Sequence, residues 1–320
     1  MGDVMNYSEQ EMQKIISEIF DTIQCKISPI GNHNLNRHLV YKVTLPEDTY
    51  IIKFYYKWNR RNREIAAHKV LESSTDVKLP KMISYGVLDD GREWMAYEFI
   101  EGCMLDEIQP DLDEYELEYL FEEMGEQLGK IHSAKQFNYF GDWDENGQSL
   151  HEITSFKQCF IRRQESHVQT LRKFALPEKR MLEAAIALMR EFYCILDPIH
   201  QSRLCHRDFD GRNILVVKGR VRWEISGIID FEQSSPYYTG SDLVNLYRKY
   251  FIDFPNLEKA FFVGYERFHQ LDPYFVSLKD YMLLCLGVAI CSWSYDDARP
   301  HYYEGIRILE FLRAYSRFEF

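Results

Sequence analysis

The chain has 320 residues, 46% hydrophobic and 28% charged, a balance that suits a soluble globular protein with a large core and room for two sub-domains. Its formal net charge is −12, unevenly spread: residues 1–102 carry 13 Lys/Arg against 15 Asp/Glu, and the remainder carries 25 against 35. That balance argues against a nucleic-acid partner, which needs a basic surface, and an acidic C-terminal part is expected to draw a cationic small molecule.

No apolar run reaches 18 residues, and the apolar stretch 283–291 is broken by Gly287, so it reads as a buried helix rather than a membrane span. The first residues include Asp3, Glu9 and Glu11 without an apolar segment, which argues against a signal peptide. The seven cysteines show no CxxC or His-paired spacing, so reduced thiols in the cytoplasm are expected rather than a zinc site.

Ser8 with Glu11 forms a capping box, and Met12, Ile15, Ile16, Ile19 and Phe20 follow at helical spacing. Strands are expected at 25–30, 39–44 and 50–56, a helix at 62–72, and two further strands at 82–88 and 94–99 joined by Asp89-Asp90-Gly91. Beyond Gly102 the pattern turns to amphipathic helices at 113–132, 155–173, 178–201, 241–250, 256–269, 278–294 and 303–317. The expected class is therefore α+β. A sheet-rich N-terminal lobe, 1–102, meets a mainly helical C-terminal lobe, 103–320, through a hinge at 98–102.

The chemistry concentrates in His206-Arg207-Asp208-Phe209-Asp210-Gly211-Arg212-Asn213 and in Asp230-Phe231-Glu232. A hydroxyl attacking a γ-phosphate needs a carboxylate to orient it and take its proton, and Mg²⁺ held by oxygen ligands. Asp208 can be that carboxylate, with Asn213 and Asp230 as metal ligands. Residues 214–217 and 223–229 read as two strands turning at Lys218-Gly219-Arg220, a hairpin that returns Asp230 to the end where Asn213 sits. Lys53 lies in the apolar strand Ile51-Ile52-Lys53-Phe54, where an inward ammonium needs a carboxylate. Glu64 on the next helix can supply it, with Glu72 as the alternative. Such a pair presents an ammonium to the nucleotide phosphates.

With these motifs, and with Tyr97-Glu98-Phe99-Ile100-Glu101-Gly102 and Leu128-Gly129-Lys130-Ile131-His132, the chain resembles the small-molecule branch of the protein-kinase-like superfamily, the aminoglycoside phosphotransferases and choline/ethanolamine kinases. The resemblance implies a two-lobed fold with ATP or GTP in the cleft and Mg²⁺ on Asn213 and Asp230. It also implies an acceptor site on the C-terminal helices. Tyr97, the Glu98 carbonyl and the Ile100 amide are expected around the base, with Tyr97 narrowing the back of its pocket and favouring GTP at least as well as ATP. Two features depart from the family. The phosphate loop 29–36 holds only Gly31, and Arg207 stands where a small residue is common. Asp242 is expected to brace the catalytic loop.

The function these readings favour is an antibiotic-resistance kinase acting on an aminoglycoside-type hydroxyl, with Glu232, Asp296, Asp297 and Glu304 as candidate carboxylates for the acceptor's amines. The nearest alternative is a choline/ethanolamine-type or other small-alcohol kinase, for which Tyr237, Tyr238, Trp293, Tyr295, Tyr302 and Tyr303 offer aromatic cage material. An alternative of another class is an inactive nucleotide-binding regulatory protein. No protein partner is evident.

Overall fold

The computed structural model describes residues 8–22, 25–31, 38–296 and 298–315. Helix α1 (Glu9–Ile19) begins at the expected capping box: the Ser8 amide donates to the Glu11 carboxylate at 2.8 Å, and the Glu11 amide donates to Ser8 Oγ at 3.2 Å. Five antiparallel strands follow, β1 (Lys26–Ile30), β2 (His38–Thr44), β3 (Thr49–Tyr55), β4 (Met82–Val87) and β5 (Glu93–Glu98), ordered β1-β2-β3-β5-β4. Helix α2 (Arg60–Ser74) runs between β3 and β4. Lys53 on β3 pairs with Met95 on β5, so Lys53, Tyr55, Met95 and Tyr97 share one face.

The remainder is mostly helical: α3 (Leu105–Ile108), α4 (Glu114–Ser133), α5 (Phe156–Leu171), α6 (Lys179–Glu191), α7 (Gly240–Leu246), α8 (Pro255–Tyr265), α9 (Phe275–Ser294) and α10 (Arg299–Tyr315). Short strands β6 (Cys103–Met104), β7 (Gln136–Phe137), β8 (Ser202–Cys205) and β11 (Ser235–Tyr237) accompany the hairpin β9 (Ile214–Lys218)–β10 (Trp223–Ile228). The helix expected through residue 201 stops at Glu191 and gives way to a 3₁₀ turn at Tyr193–Leu196. Pro198 has no N–H with which to extend it. The expected helix at 241–250 changes to π-helical winding at Tyr247–Phe251.

Helix α9 is long and apolar enough to cross a membrane by composition, but 72% of its apolar window is buried inside the protein, against α5, α6, α7 and α10. Helices α4 and α8 meet at two glycines. A Cβ on Gly125 would strike the Phe261 carbonyl oxygen, and one on Gly264 the Glu122 carbonyl oxygen. Backbone touches backbone there, which fixes the far end of α4 and the His132 it carries.

Candidate active site

Strand β8 delivers residues 206–213. The buried Asp242, at the start of α7, accepts the backbone N–H of His206 at 2.8 Å and of Arg207 at 2.7 Å. His132, at the end of α4, faces the same carboxylate through Nε2 at 3.1 Å, and its Nδ1 lies 2.7 Å from the Tyr265 hydroxyl. Burial alone would raise the Asp242 pKa. The hydrogen bond and charge of His132 and the Arg207 amide outweigh it and hold the carboxyl below its ordinary range. The brace expected of Asp242 is therefore present.

Arg207 adopts φ 67°, the left-handed region. A non-glycine residue there costs about 1–2 kcal/mol, which glycine would avoid. The hydrogen bonds that the His206 and Arg207 backbone N–H groups donate to Asp242 hold that geometry, and the Arg207 guanidinium lies 3.8 Å from the Tyr237 ring centroid.

His206 is fully buried and acts as a cross-brace. Its Nδ1 accepts the Asp208 amide at 3.3 Å, and its Nε2 faces the Ile229 carbonyl at 3.1 Å. The Ile229 amide in turn donates to the Asn213 carbonyl at 2.9 Å, and Asn213 Nδ2 donates to the Asp208 carbonyl at 2.8 Å. Asp208, Asn213 and Asp230 are thus brought to one end of the β9–β10 hairpin. The Asp208 pKa is raised, first by desolvation and further by the nearby Asp210 and Asp230 carboxylates. Arg212, 3.3 Å away, pulls it down.

Lys53 is buried beneath the five-stranded sheet. Its ammonium lies 2.7 Å from Asp230, 2.9 Å from Glu232 and 3.2 Å from Glu64. Burial opposes the charge, but the three carboxylates outweigh it and push the Lys53 pKa well up. Glu64 reaches Lys53, whereas Glu72 instead accepts the Met82 amide at 3.3 Å. The Tyr55 hydroxyl donates to Glu64 at 2.6 Å and lies 3.0 Å from the Tyr97 hydroxyl. Glu98 is exposed, and its amide donates to Lys81 at 2.9 Å. The Ile100 amide has no partner among the described residues. Gly31 is exposed at φ 75°, and the rest of the expected phosphate loop, 32–36, lies outside the described residues.

A cavity of about 510 Å³ opens beside Asp208, and among the described residues its lining is more basic than acidic. Asp296 is exposed and does not line the cavity. Glu304 does not line it either; it pairs with Arg248 at 3.1 Å and lies 3.1 Å from His301 Nδ1. Asp297 lies outside the described residues. Glu232 does reach the cavity, but its carboxylate is engaged with Lys53, Arg60 and His38. Among the described residues, six cationic side chains, Lys57, Arg60, Arg163, Arg207, Arg212 and Arg248, line the space with the carboxylates of Asp208 and Glu232, while Asp210 and Glu304, outside the lining, pair with Arg212 and Arg248. Of the cage aromatics, Tyr237 is covered by Arg207, and Tyr238 and Tyr302 are core residues. A second hollow, of about 660 Å³, lies outside the sheet around Asp48, Lys81 and Glu98, away from Asp208 and Lys53.

Sequence reasoning passed over Arg163. A signal existed, since Phe156, Phe160, Gln164 and Leu171 share one stripe of α5, which sets Gln164 into an apolar face with the exposed Arg163 and half-buried His167 along its border.

An N-terminal antiparallel sheet facing a helical part across a cleft defines the chain as kinase-like in fold. Solved structures agree. Aminoglycoside phosphotransferase APH(4)-Ia is similar with a TM-score of 0.73 at 16% identity, covering 95% of this chain and 99% of that one. A mutant of aminoglycoside 2′-phosphotransferase-IIIa in complex with GDP gives a TM-score of 0.68 at 17% identity, covering 96% and 98%. Spectinomycin phosphotransferase APH(9)-Ia gives 0.60 at 14% identity, covering 96% and 94%. Comparison with curated proteins gives no match. The family model described as the phosphotransferase enzyme family (APH) matches residues 26–274, and the chain belongs to that family. It is a kinase.

Proposed function

We propose that the chain transfers the γ-phosphoryl group of ATP or GTP to a hydroxyl of a small molecule, with residues 1–102 and 103–320 as its two lobes, and that it works in the cytoplasm. The observation that carries this reading is the convergence of two half-sites: Lys53 of the sheet lies 2.7 Å from Asp230, while Asn213 is tied to the Asp208 carbonyl at 2.8 Å. The similar structures solved with AMP-PNP or ADP and hygromycin B, and with GDP, support a nucleotide and a small hydroxylated acceptor.

Asp208 orients the acceptor hydroxyl and takes its proton. The hydroxyl oxygen bonds to the γ-phosphorus as the bond to the β–γ bridging oxygen breaks, and the nucleoside diphosphate leaves with that electron pair. Lys53, steadied by Glu64, reaches the α/β-phosphates once nucleotide draws it from Asp230. Asn213 and Asp230 offer hard oxygen donors suited to Mg²⁺: with its Nδ2 engaged, the Asn213 side-chain carbonyl remains for the metal. When bound, Mg²⁺ neutralises charge on the phosphate oxygens. The edge formed by the exposed Glu98 and the half-buried Ile100 serves the base.

An aminoglycoside's amines meet few free carboxylates among the described residues of this cavity, since Glu232 is engaged by Lys53 and Arg60, and Asp210 and Glu304 are paired with Arg212 and Arg248. The test is nucleoside diphosphate release with Mg²⁺ across a panel of hydroxylated acceptors, using Asp208→Asn as the control. The variant should bind nucleotide as the wild type does and lose turnover by on the order of 10²–10⁴. Retention of more than about a tenth of the turnover would remove Asp208 from its role.

A further inference from the structure

We propose that the acceptor phosphorylated at this site carries an oxyanion of its own, a phosphate or a carboxylate, held by Arg163 and Arg207. The inference rests on the kinase reading and names the class of its acceptor.

Partner accounting singles out these two arginines. Of the other four cavity cations, Arg212 is engaged by Asp210 at 2.5 Å and Arg248 by Glu304 at 3.1 Å, Arg60 lies 3.7 Å from Glu232, and Lys57 is engaged as well. Neither Arg163 nor Arg207 has a carboxylate partner among the described residues. The Arg207 guanidinium lies over the Tyr237 ring and approaches Ser235 Oγ at 3.5 Å. The charge of Arg207 is the largest influence on the solvent-exposed Arg163 and lowers it to about 10. Arg163 therefore stays cationic at neutral pH. Burial first, then the same two arginines, lowers His167 to about 4, so that ring stays neutral. A net positive cavity in a chain of net charge −12 is a local device rather than a consequence of composition.

Two further observations point to an absent ligand. Gln164, 6% exposed, lines the cavity with its Oε1 unpartnered among the described residues, which suits a second hydroxyl of a polyol. Arg207 occupies a left-handed position that glycine would fill without strain, and its side chain reaches this cavity. Planar guanidiniums bind phosphate and carboxylate through paired N–H donors, and about 510 Å³ accommodates a small phosphorylated or carboxylated polyol.

The test measures binding first, so that it does not depend on finding the true acceptor. Inorganic phosphate, glucose 6-phosphate and gluconate are titrated calorimetrically into the full chain, alongside glucose, choline and hygromycin B, with Mg²⁺–nucleotide binding measured separately. At least one anion should bind, tighter by at least about tenfold than its neutral or cationic counterparts. Glucose 6-phosphate against gluconate separates a phosphate from a carboxylate. Arg163→Gln should weaken that anion about tenfold or more while leaving nucleotide affinity within about twofold. Arg207→Gly should weaken it similarly while raising Tm, because the strained φ is relieved; this guards against loss of fold as the cause. Tighter binding of choline or hygromycin B than of every anion overturns the proposal, as does unchanged anion affinity in Arg163→Gln. Equal weakening of anion and nucleotide also overturns it, by assigning the arginines to the transferring phosphoryl group. Loss of the kinase reading would appear separately, as absence of Mg²⁺–nucleotide binding in the wild type.

Discussion

The Lys53 ammonium lies closer to Asp230, at 2.7 Å, than to Glu64, at 3.2 Å. One lysine thus joins the sheet to the strand that presents the metal-ligand candidate, and three carboxylates share its single charge. Nucleotide with Mg²⁺ would relieve that excess. Asp230 adopts φ 66°, a conformation asparagine tolerates, so Asp230→Asn removes the charge without backbone strain. It should weaken Mg²⁺-dependent nucleotide binding by more than about tenfold, about 1.4 kcal/mol. Asn213→Ala should weaken it less, because an amide brings a dipole where a carboxylate brings a full charge. Mg²⁺ titrations of nucleotide affinity check this; equal weakening would show the metal ligands to be misassigned.

Asp208 must be ionised to accept a proton, and its pKa is raised above the ordinary Asp value by desolvation and neighbouring carboxylates, against Arg212. kcat/KM should therefore fall as pH drops through a value higher than that of an ordinary aspartate. Arg212→Gln removes the cation that lowers this pKa, so the acid limb should move to still higher pH. Arg212→Lys should leave it near the wild type. Full pH profiles of the three proteins decide the matter. An acid limb that stays put in Arg212→Gln would mean that another group limits turnover.

The helix crossing behind the loop yields a stability prediction. A methyl at position 125 meets the Phe261 carbonyl, which is backbone and cannot rotate aside. Gly125→Ala should cost about 1–3 kcal/mol and lower Tm by several degrees. Because α4 also carries His132 and thereby Asp242, kcat should fall below the transition too. Tyr115→Ala, at an 83% exposed position on the same helix, should shift stability by less than about 0.5 kcal/mol. Equal Tm values for the two variants would refute the close contact.

The legible parts of the molecule were those in which local pattern and chemistry coincide. Ser8 with Glu11 announced α1, the alternating strands announced the sheet, and the spacing from Asp208 through Asn213 to Asp230 matches a loop and hairpin that bring the three together. The order of charges around the cavity was not legible. Net charge sums over the surface, whereas Arg163 and Arg207 come from segments some forty residues apart in sequence and meet only through packing. Glu304 looked available because its partner Arg248 lies fifty-six residues away. Short strands such as β8 and β11 carry too few residues for a period to register.

Tyr97 shares the sheet face of Lys53, is 5% exposed, and points its hydroxyl at Tyr55, 3.0 Å away, and at Met95 Sδ, 3.1 Å away. Burial first, then the Glu64 charge, pushes its pKa well up, so the phenol is neutral at any working pH. With the base seated against β5, the ring would fill the space behind it, while its hydroxyl is tied through Tyr55 to the Glu64 that steadies Lys53. Adenine and guanine present opposite donor and acceptor patterns at position 6, and a filled back pocket keeps the base outward, where guanine can use the backbone at Glu98 and Ile100 in its own register. The wild type should therefore use GTP at least as well as ATP. Tyr97→Phe keeps the bulk and should keep that preference. Tyr97→Ala opens the pocket and should improve ATP use relative to GTP. Measuring kcat/KM for both nucleotides in the three proteins tests this, and a tenfold wild-type preference for ATP, about 1.4 kcal/mol, would sink it.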